Sequence, residues 1–374
     1  LNNKLHILCF TVPYPVNYGG VFDLFYMLPA LQQAGISIHL HCFDYGRGKQ
    51  DELLKYCEAV YYYPRNRGHK GISSRLPYIV ASRNNRDLLN KLLEDEAPIL
   101  MHGVHCTFLL NDERLRHRKC WVRLHNTEHI YYHHLAMHTR SWMKKIYYEV
   151  ESRLLKKYEN RIANRAGFLA VSEKEVAIYQ QLFACKQIQH LPVFLPDWSV
   201  TGAAGMGNYC FYHGDLQVPS NEKAAIHLLT QVFNRVKIPL VIAGRNPSEH
   251  LTALAHRQSH TCLVANPSDL EMEDMIARAH IHILPSFNPT GIQLKWLHAL
   301  YHGRHIVVQS QLVEQHPLAA ACYSAANTEA MASLITQLYH QPFTEEERAG
   351  REKLLNQLFN PSKQAAQLIA AIFS

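Results

Sequence analysis

No stretch of this chain stays apolar over the ~18–20 residues that a membrane-spanning helix needs. The opening LNNKLHILCF lacks the long apolar stretch and small-residue cleavage site of a signal peptide, and reads as a first β-strand. C-x-x-C pairs are missing too: the nine cysteines sit scattered at 9, 42, 57, 106, 120, 185, 210, 262 and 322. An odd, dispersed set with several members in strand-like runs reads as reduced core cysteine, hence a cytoplasmic protein. There is no G-x-G-x-x-G dinucleotide fingerprint, no convincing D-x-D metal motif, no internal repeat and no low-complexity segment. At 47% apolar and 18% charged, the composition is globular, and 374 residues suffice for two domains.

What is present is an alternation of strand-like and helix-like segments from end to end. In the first half LHILCFT (5–11), SIHLHCF (37–43), AVYYY (59–63), PILMHGV (98–104), CWVRLH (120–125) and FLAVS (168–172) read as strands. Helical patterns cover 20–33, with Pro29 inside, 84–94 and 139–166. The last places Met143, Ile146, Tyr147, Val150, Leu154, Tyr158 and Ile162 on one stripe. In the second half YCFYHG (209–214), IPLVIAG (238–244), TCLVA (261–265), IHILP (281–285) and HIVV (305–308) are strand-like. Helices are expected at 220–235, 248–258, 268–278, 326–340, 344–358 and 361–373. Ser172–Glu175 and Ser268–Glu271 read as capping boxes.

Such alternation predicts an α/β protein with parallel sheets covered on both faces. The rhythm resets in HLPVFLPDWSVTGAAGMGN (190–208), a proline- and small-residue-rich linker. The expected division is therefore 1–195 and 196–358, two Rossmann-like doubly wound domains, with a terminal helix 359–374 packing back on the first. Charge divides unevenly: 1–195 holds 26 Lys/Arg against 17 Asp/Glu, whereas 196–358 and the tail hold 12 against 14. A basic half suits nucleic acid, an anionic membrane or a phosphorylated substrate, or is a plain solvated surface. In open α/β sheets ligands bind beyond the carboxyl ends of the strands, so the chemistry is expected in the cleft between the domains.

Several stretches fit that place. In HILPSFNPTGIQLKWLHALYHGRHIVV (282–308), Gly291 follows a strand and opens a helix, and Lys295 lies about one turn on. Bare amide N–H groups, the helix dipole and a lysine suit a diphosphate; an ordinary turn with a surface lysine is the alternative. Gly19-Gly20 opens the helix after the first strand and permits close backbone approach to a phosphate or sugar, or simply makes a tight turn. Residues 125–129 spell H-x-x-E-H. Zinc would need both histidines on one helical face, but His125 ends a strand-like run. It reads better as a donor to a substrate hydroxyl or phosphate, or as a structural histidine. His102 and His105 invite the same argument more weakly. The pattern 139–166 carries Arg140, Lys144, Lys145, Arg153, Lys156, Lys157, Arg161 and Arg165. Anionic lipid would attract such residues by ~1 kcal/mol each, although Glu149, Glu151 and Glu159 interrupt the run.

Taken in order, Gly19-Gly20, RLHNTEH (123–129), LAVSEKE (169–175), GDLQVPSNEKAA (214–225), LVIAGRNP (240–247) and LPSFNPTGIQLKWLHALYHGRHIVV (284–308) resemble the GT-B glycosyltransferases of family 4 across nearly the whole chain. The resemblance implies a GT-B fold, two Rossmann-like domains facing across a cleft, and retaining transfer from a nucleotide diphosphate sugar without metal or other cofactor. The family's paired glutamates fall at Thr290 and His298, so this is a variant that lacks both. On that resemblance Gly291, Ile292 and Gln293 offer backbone N–H groups to the donor, Lys295 stabilises the leaving diphosphate, Thr290 binds a sugar hydroxyl and His298 a ribose hydroxyl. Asp215 stands where the family has a basic residue, so Lys223 or Arg245 is expected to supply the charge. His125 and Lys295 are the expected catalytic residues. The acceptor is expected to be a cell-surface glycan or lipid-linked sugar bound by the basic first domain, as in polysaccharide biosynthesis. Peripheral association with the inner membrane face is a further expectation, and nucleic acid is not an expected partner, for want of a basic-aromatic platform. The departures leave open an epimerase using the same cleft, or a catalytically impaired sugar- or nucleotide-binding homologue.

Overall fold

Among the described residues thirteen short runs, most of them rich in Val, Ile and Leu, become strands. The computed structural model describes residues 3–17, 19–139, 141–285, 293–314 and 316–373. They divide into two compact units, Leu1–Pro196 with Phe359–Ser374, and Asp197–Pro289 with Gln293–Leu358.

The first unit holds β1 (Lys4–Cys9), β2 (Ser37–Asp44), β3 (Ala59–Pro64), β4 (Ile99–His102), β5 (Cys120–Leu124), β6 (Gly167–Ala170) and β7 (Ile188–His190), in the spatial order β3-β2-β1-β4-β5-β6-β7. The second holds β8 (Cys210–Asp215), β9 (Leu240–Arg245), β10 (Thr261–Ala265), β11 (Ile281–Leu284), β12 (His305–Gln309) and β13 (Tyr323–Ala325), ordered β10-β9-β8-β11-β12-β13. All neighbouring strands run parallel. The central strands β1, β4, β5, β6, β11 and β12 are buried almost throughout, as expected for sheets sandwiched between helices, and the edge strands β3, β7, β10 and β13 are partly exposed. In each sheet the strand order reverses once, between β1 and β4 and between β8 and β11. Those two carboxyl-end crevices are where such folds take ligands.

Side-chain alternation splits the first unit's core in two. Leu5, Ile7 and Cys9 of β1 and Leu100 of β4 pack on one face with Leu24, Leu28 and Leu31. Leu8, Ile99 and Met101 pack on the other with Val122, Tyr158 and Ile162. The terminal helix Pro361–Phe373 joins the first of these through Ala365, Leu368 and Ile372. Its Gln364 Nε2 donates to the carbonyls of Pro192 (2.9 Å) and Val193 (3.1 Å). In the second unit Gly214 and Gly244 face each other across β8 and β9. A Cβ on Gly244 would lie 2.0 Å from the Gly214 carbonyl oxygen, so only glycine fits there.

The expected helices form with two differences. The helix expected over 139–166 forms as Trp142–Ile162, and a further helix, Glu128–His138, which the periodicity did not mark, precedes it. Thr139 is extended after Glu128–His138, and the Ser141 hydroxyl caps Trp142–Ile162 by accepting Lys144 N–H. The stripe is buried only toward its end, at Tyr158 and Ile162. Trp142, Met143, Ile146, Tyr147 and Val150 are exposed. The other difference is at 220–235, where the helix Pro219–His227 widens into a π turn over Leu228–Val232. Both caps form: Ser268 and Glu271 make a reciprocal box, and Ser172 accepts Glu175 N–H. Among the described residues no helix is long and apolar enough to cross a membrane. The nine cysteines are free thiols, seven of them buried.

Candidate functional site

The first unit's switch point is a buried polar network. Asp23 interrupts the apolar helix Gly19–Gln33, where its neighbours Val21, Phe22, Leu24 and Phe25 are all buried. Burial alone would raise its carboxyl. The Arg123 charge and hydrogen bonds, aided by His102, instead hold it well below the usual range. Arg123, on β5, grips both carboxylate oxygens at 2.8 and 2.9 Å. It spends its other donors on the carbonyls of Leu191 (2.6 Å) and Pro192 (2.8 Å). Phe194 N–H also donates to Asp23, at 2.7 Å.

His125 follows β5 as expected. Its Nε2 lies 2.9 Å from His102 Nδ1 at the end of β4, and 3.7 Å from Asp23 Oδ2. Burial, and then the neighbouring His102, push its pKa down to about 3, so the ring is neutral at pH 7. Asp23, His102 and His125 are close enough to surround a cation. The Arg123 fork already neutralises Asp23 and would repel one, so the set fits a metal poorly. The H-x-x-E-H string does not form one ligand face: His125 precedes the helix, and His129 is bound through Nδ1 to Glu159 at 2.7 Å. Gly19 and Gly20 open their helix, Gly19 exposed and Gly20 half-buried.

The second unit's switch point is built differently. Lys295 sits in the first turn of the helix Leu294–His302 and turns inward. Its Nζ donates to Asn221 Oδ1 (2.8 Å) and the Tyr212 hydroxyl (3.2 Å), and lies 4.7 Å from the Tyr212 ring centroid. Tyr212 is on β8, and Asn221 is in the first turn of Pro219–His227. Among the described residues no carboxylate pairs with Lys295. Burial therefore lowers its pKa to about 7. His298, one turn on, packs against Trp198 (4.7 Å) and faces His213 (6.4 Å). Burial, then His302, lower its pKa to about 4. His213 Nε2 is buried without a hydrogen-bond partner.

The remaining expected residues are less concentrated. Gln293 stands at the N-terminal boundary of the Lys295 helix, its carbonyl accepting Trp296 N–H. Thr290, Gly291 and Ile292 lie outside the described residues. Lys223 is on the exposed side of Pro219–His227, and Arg245 ends β9 exposed, 4.0 Å from Asp269. Asp215 is exposed and accepts Gln217 N–H. The sequence reading missed Asp23, Arg123, Tyr212, His213 and Asn221. A lone aspartate within VFDLFYML was the one signal it could have used, since a charge on an apolar stripe needs a partner.

Comparison with known proteins fits this geometry. No family profile matches the chain. A Klebsiella pneumoniae relative, an uncharacterized 44.6 kDa protein in a cps region, is 27% identical over 327 residues, covering 82% of this chain and 83% of its own. Among solved structures, TarM superposes with a TM-score of 0.69 at 11% identity over 99% of both chains. Anabaena Alr3699/HepE, solved with UDP and glucose, gives 0.64 at 12% over 99% of both. Arabidopsis thaliana UGT89C1, solved with UDP-L-rhamnose, gives 0.57 at 12%, over 99% of this chain and 98% of its own.

The fold is GT-B. The two parallel sheets, with one reversal of strand order in each, are what that fold requires.

Proposed function

We propose that this GT-B chain is a glycosyltransferase that moves a sugar from a nucleotide diphosphate donor held by the second unit. One observation carries the reading: Lys295, half-buried, turns inward at the β8/β11 switch point beside uncharged partners alone. A cation left in that state is costly by itself and favourable once an anion arrives. A departing diphosphate gains negative charge in the transition state, so a preorganised ammonium favours its departure. Gln293 stands at the start of the Lys295 helix, where first-turn N–H groups suit an anion, and neutral His298 is a partner for a ribose hydroxyl. Lys223 and Arg245 supply outlying positive charge.

In the retaining, metal-independent reaction proposed, the C1–O bond to the diphosphate breaks and a C1–O bond to the acceptor forms on the same face. The departing phosphate oxygen takes the acceptor proton. His125 bonds His102 through Nε2, which leaves Nδ1 for a substrate hydroxyl, and Gly19-Gly20 admits the substrate close to the backbone.

The acceptor in this reading is a cell-surface glycan or a lipid-linked sugar bound by the basic first unit. Two features support action at an inner membrane face. The free, buried thiols suit a reducing compartment. The helix Trp142–Ile162 exposes Trp142, Ile146 and Val150 on the side that carries Arg153, Lys157 and Arg161 further along.

A thermal-shift screen of nucleoside diphosphates and their sugars tests the donor site. Ligand at 100 times its Kd stabilises by ~2.7 kcal/mol. The account expects such a shift for one nucleotide class, lost in Lys295→Ala. A shift that survives the substitution removes Lys295 from the reading.

A further inference from the structure

The first unit carries a second uncompensated positive group that the donor reading does not use. Phe10 follows β1, Tyr45 follows β2 and Arg65 follows β3, so all three stand at the sheet's carboxyl edge. The guanidinium carbons of Arg65, Arg67 and Arg83 lie 4.9, 5.7 and 5.9 Å from the Tyr45 ring centroid. All three are held by neutral acceptors. Arg65 Nε donates to Ser82 Oγ (3.1 Å), Arg67 to the Tyr45 carbonyl, and Arg83 to the carbonyls of Phe10 (3.0 Å) and Ile79 (2.7 Å). Among the described residues none of the three forms an ion pair with a carboxylate.

Glu128 is the acid whose field reaches Arg83. Burial, and then Glu159, push its carboxyl up to about 8, so at pH 7 it is mostly protonated and neutralises little. His105 stacks on Phe10 at 4.9 Å, and its Nδ1 is buried with no hydrogen-bond partner. Burial and the charges of Arg83 and Arg65 keep that ring neutral. Three cations around one ring repel each other, and an oxyanion between them relieves that repulsion. Guanidinium forks match phosphate oxygens.

We infer that Arg65, Arg67 and Arg83 form an oxyanion site that binds a phosphate or diphosphate group of the acceptor. This deepens the glycosyl-transfer reading and rests on it. The exposed apolar stripe adjoins the site: Arg65 lies over the Tyr78 ring at 5.4 Å, and Tyr147 of the stripe feels both Tyr78 and Arg65. A lipid-linked phosphate would find its head and chain contacts side by side.

The test is calorimetric titration of the full chain with inorganic pyrophosphate, farnesyl diphosphate and farnesol, with saturating nucleoside diphosphate in the second unit. Both diphosphates are expected to bind. Arg65→Ala with Arg67→Ala weakens them ~10-fold or more, as loss of charged hydrogen bonds requires. The pair Arg65→Lys and Arg67→Lys, which keeps charge and fold, is expected to fall between. Tighter farnesyl diphosphate than pyrophosphate assigns the site to a lipid-linked acceptor; equal binding assigns it to a phosphorylated glycan. Diphosphate affinity unmoved in the alanine pair, or farnesol binding as tightly as farnesyl diphosphate, overturns the site. If pyrophosphate binds through the arginines but no nucleoside diphosphate binds at all, the transferase reading fails and the oxyanion site stands.

Discussion

The two switch points use charge in opposite ways. In the first unit, Asp23 and Arg123 neutralise each other and satisfy nearly every donor and acceptor around them. In the second, Lys295 turns inward against a phenol and an amide, and no described carboxylate answers it. The first arrangement is complete without a ligand and is costly to break. The second is costly as it stands and improves when an anion arrives. A buried charge therefore marks a binding site only where the fold leaves it uncompensated.

The largest effect should come from breaking the complete pair. Asp23→Ala strands the Arg123 guanidinium in the core and is expected to cost ~3–5 kcal/mol, read by urea denaturation. A loss below ~1 kcal/mol would mean the network is not the structural clamp described.

The contrast sharpens at Lys295. Lys295→Met removes the uncompensated charge, so it should raise the Tm of the second unit at pH 7 by ~2–4 °C, the shift of about 1 kcal/mol in a unit of roughly 160 residues, while abolishing nucleotide binding. A variant that loses both stability and binding would contradict an uncompensated lysine. The sign in pH agrees. Burial lowers the folded pKa from the ordinary 10.5 to about 7, so the unfolded chain holds more protons between them. Lys295 therefore makes stability rise with pH across that window.

Glu128 gives a smaller effect of opposite sign. Its folded pKa is raised from 4.5 to about 8, so the folded chain holds the extra proton. Its contribution is fully present below 4.5 and is lost as pH rises through 8. Glu128→Gln should leave stability at pH 6 within ~0.5 kcal/mol and flatten the decline toward pH 8. An unchanged slope would place the raised titration elsewhere. Smallest of all for the fold is the outer stripe. Trp142→Ser with Ile146→Ser should leave Tm nearly unchanged yet reduce co-sedimentation with anionic vesicles, and undiminished sedimentation would remove the stripe from the membrane reading.

Much of the fold was legible because strand and helix periods differ and each run kept its period. Apolar runs bounded by glycine and caps gave eleven of the described strands their approximate places, and the three-residue edge strands β7 and β13 were too short to show. The helix within 139–166 was legible, but its burial was not, because Met143, Ile146 and Val150 continue the spacing of Tyr158 and Ile162 across a change from exposed to buried surface. Periodicity reports a face but not which side of it meets solvent. Lys295 was legible from its place one turn after Gly291. Its partners were not, since Tyr212 and Asn221 lie 83 and 74 residues away and meet it only through the order β8-β11. Arg123 was quoted within RLHNTEH, but its role depends on Asp23, 100 residues earlier.

The most direct test of the account is proton uptake by Lys295 on binding. Calorimetry at pH 8, in buffers of different ionisation enthalpy, with the nucleoside diphosphate found in the screen, counts the protons taken up. A lysine with a free pKa of about 7 is ~10% charged there and becomes charged beside a diphosphate. Uptake of most of one proton is expected in the wild type. Binding without proton uptake would contradict an uncompensated Lys295 that the diphosphate recharges.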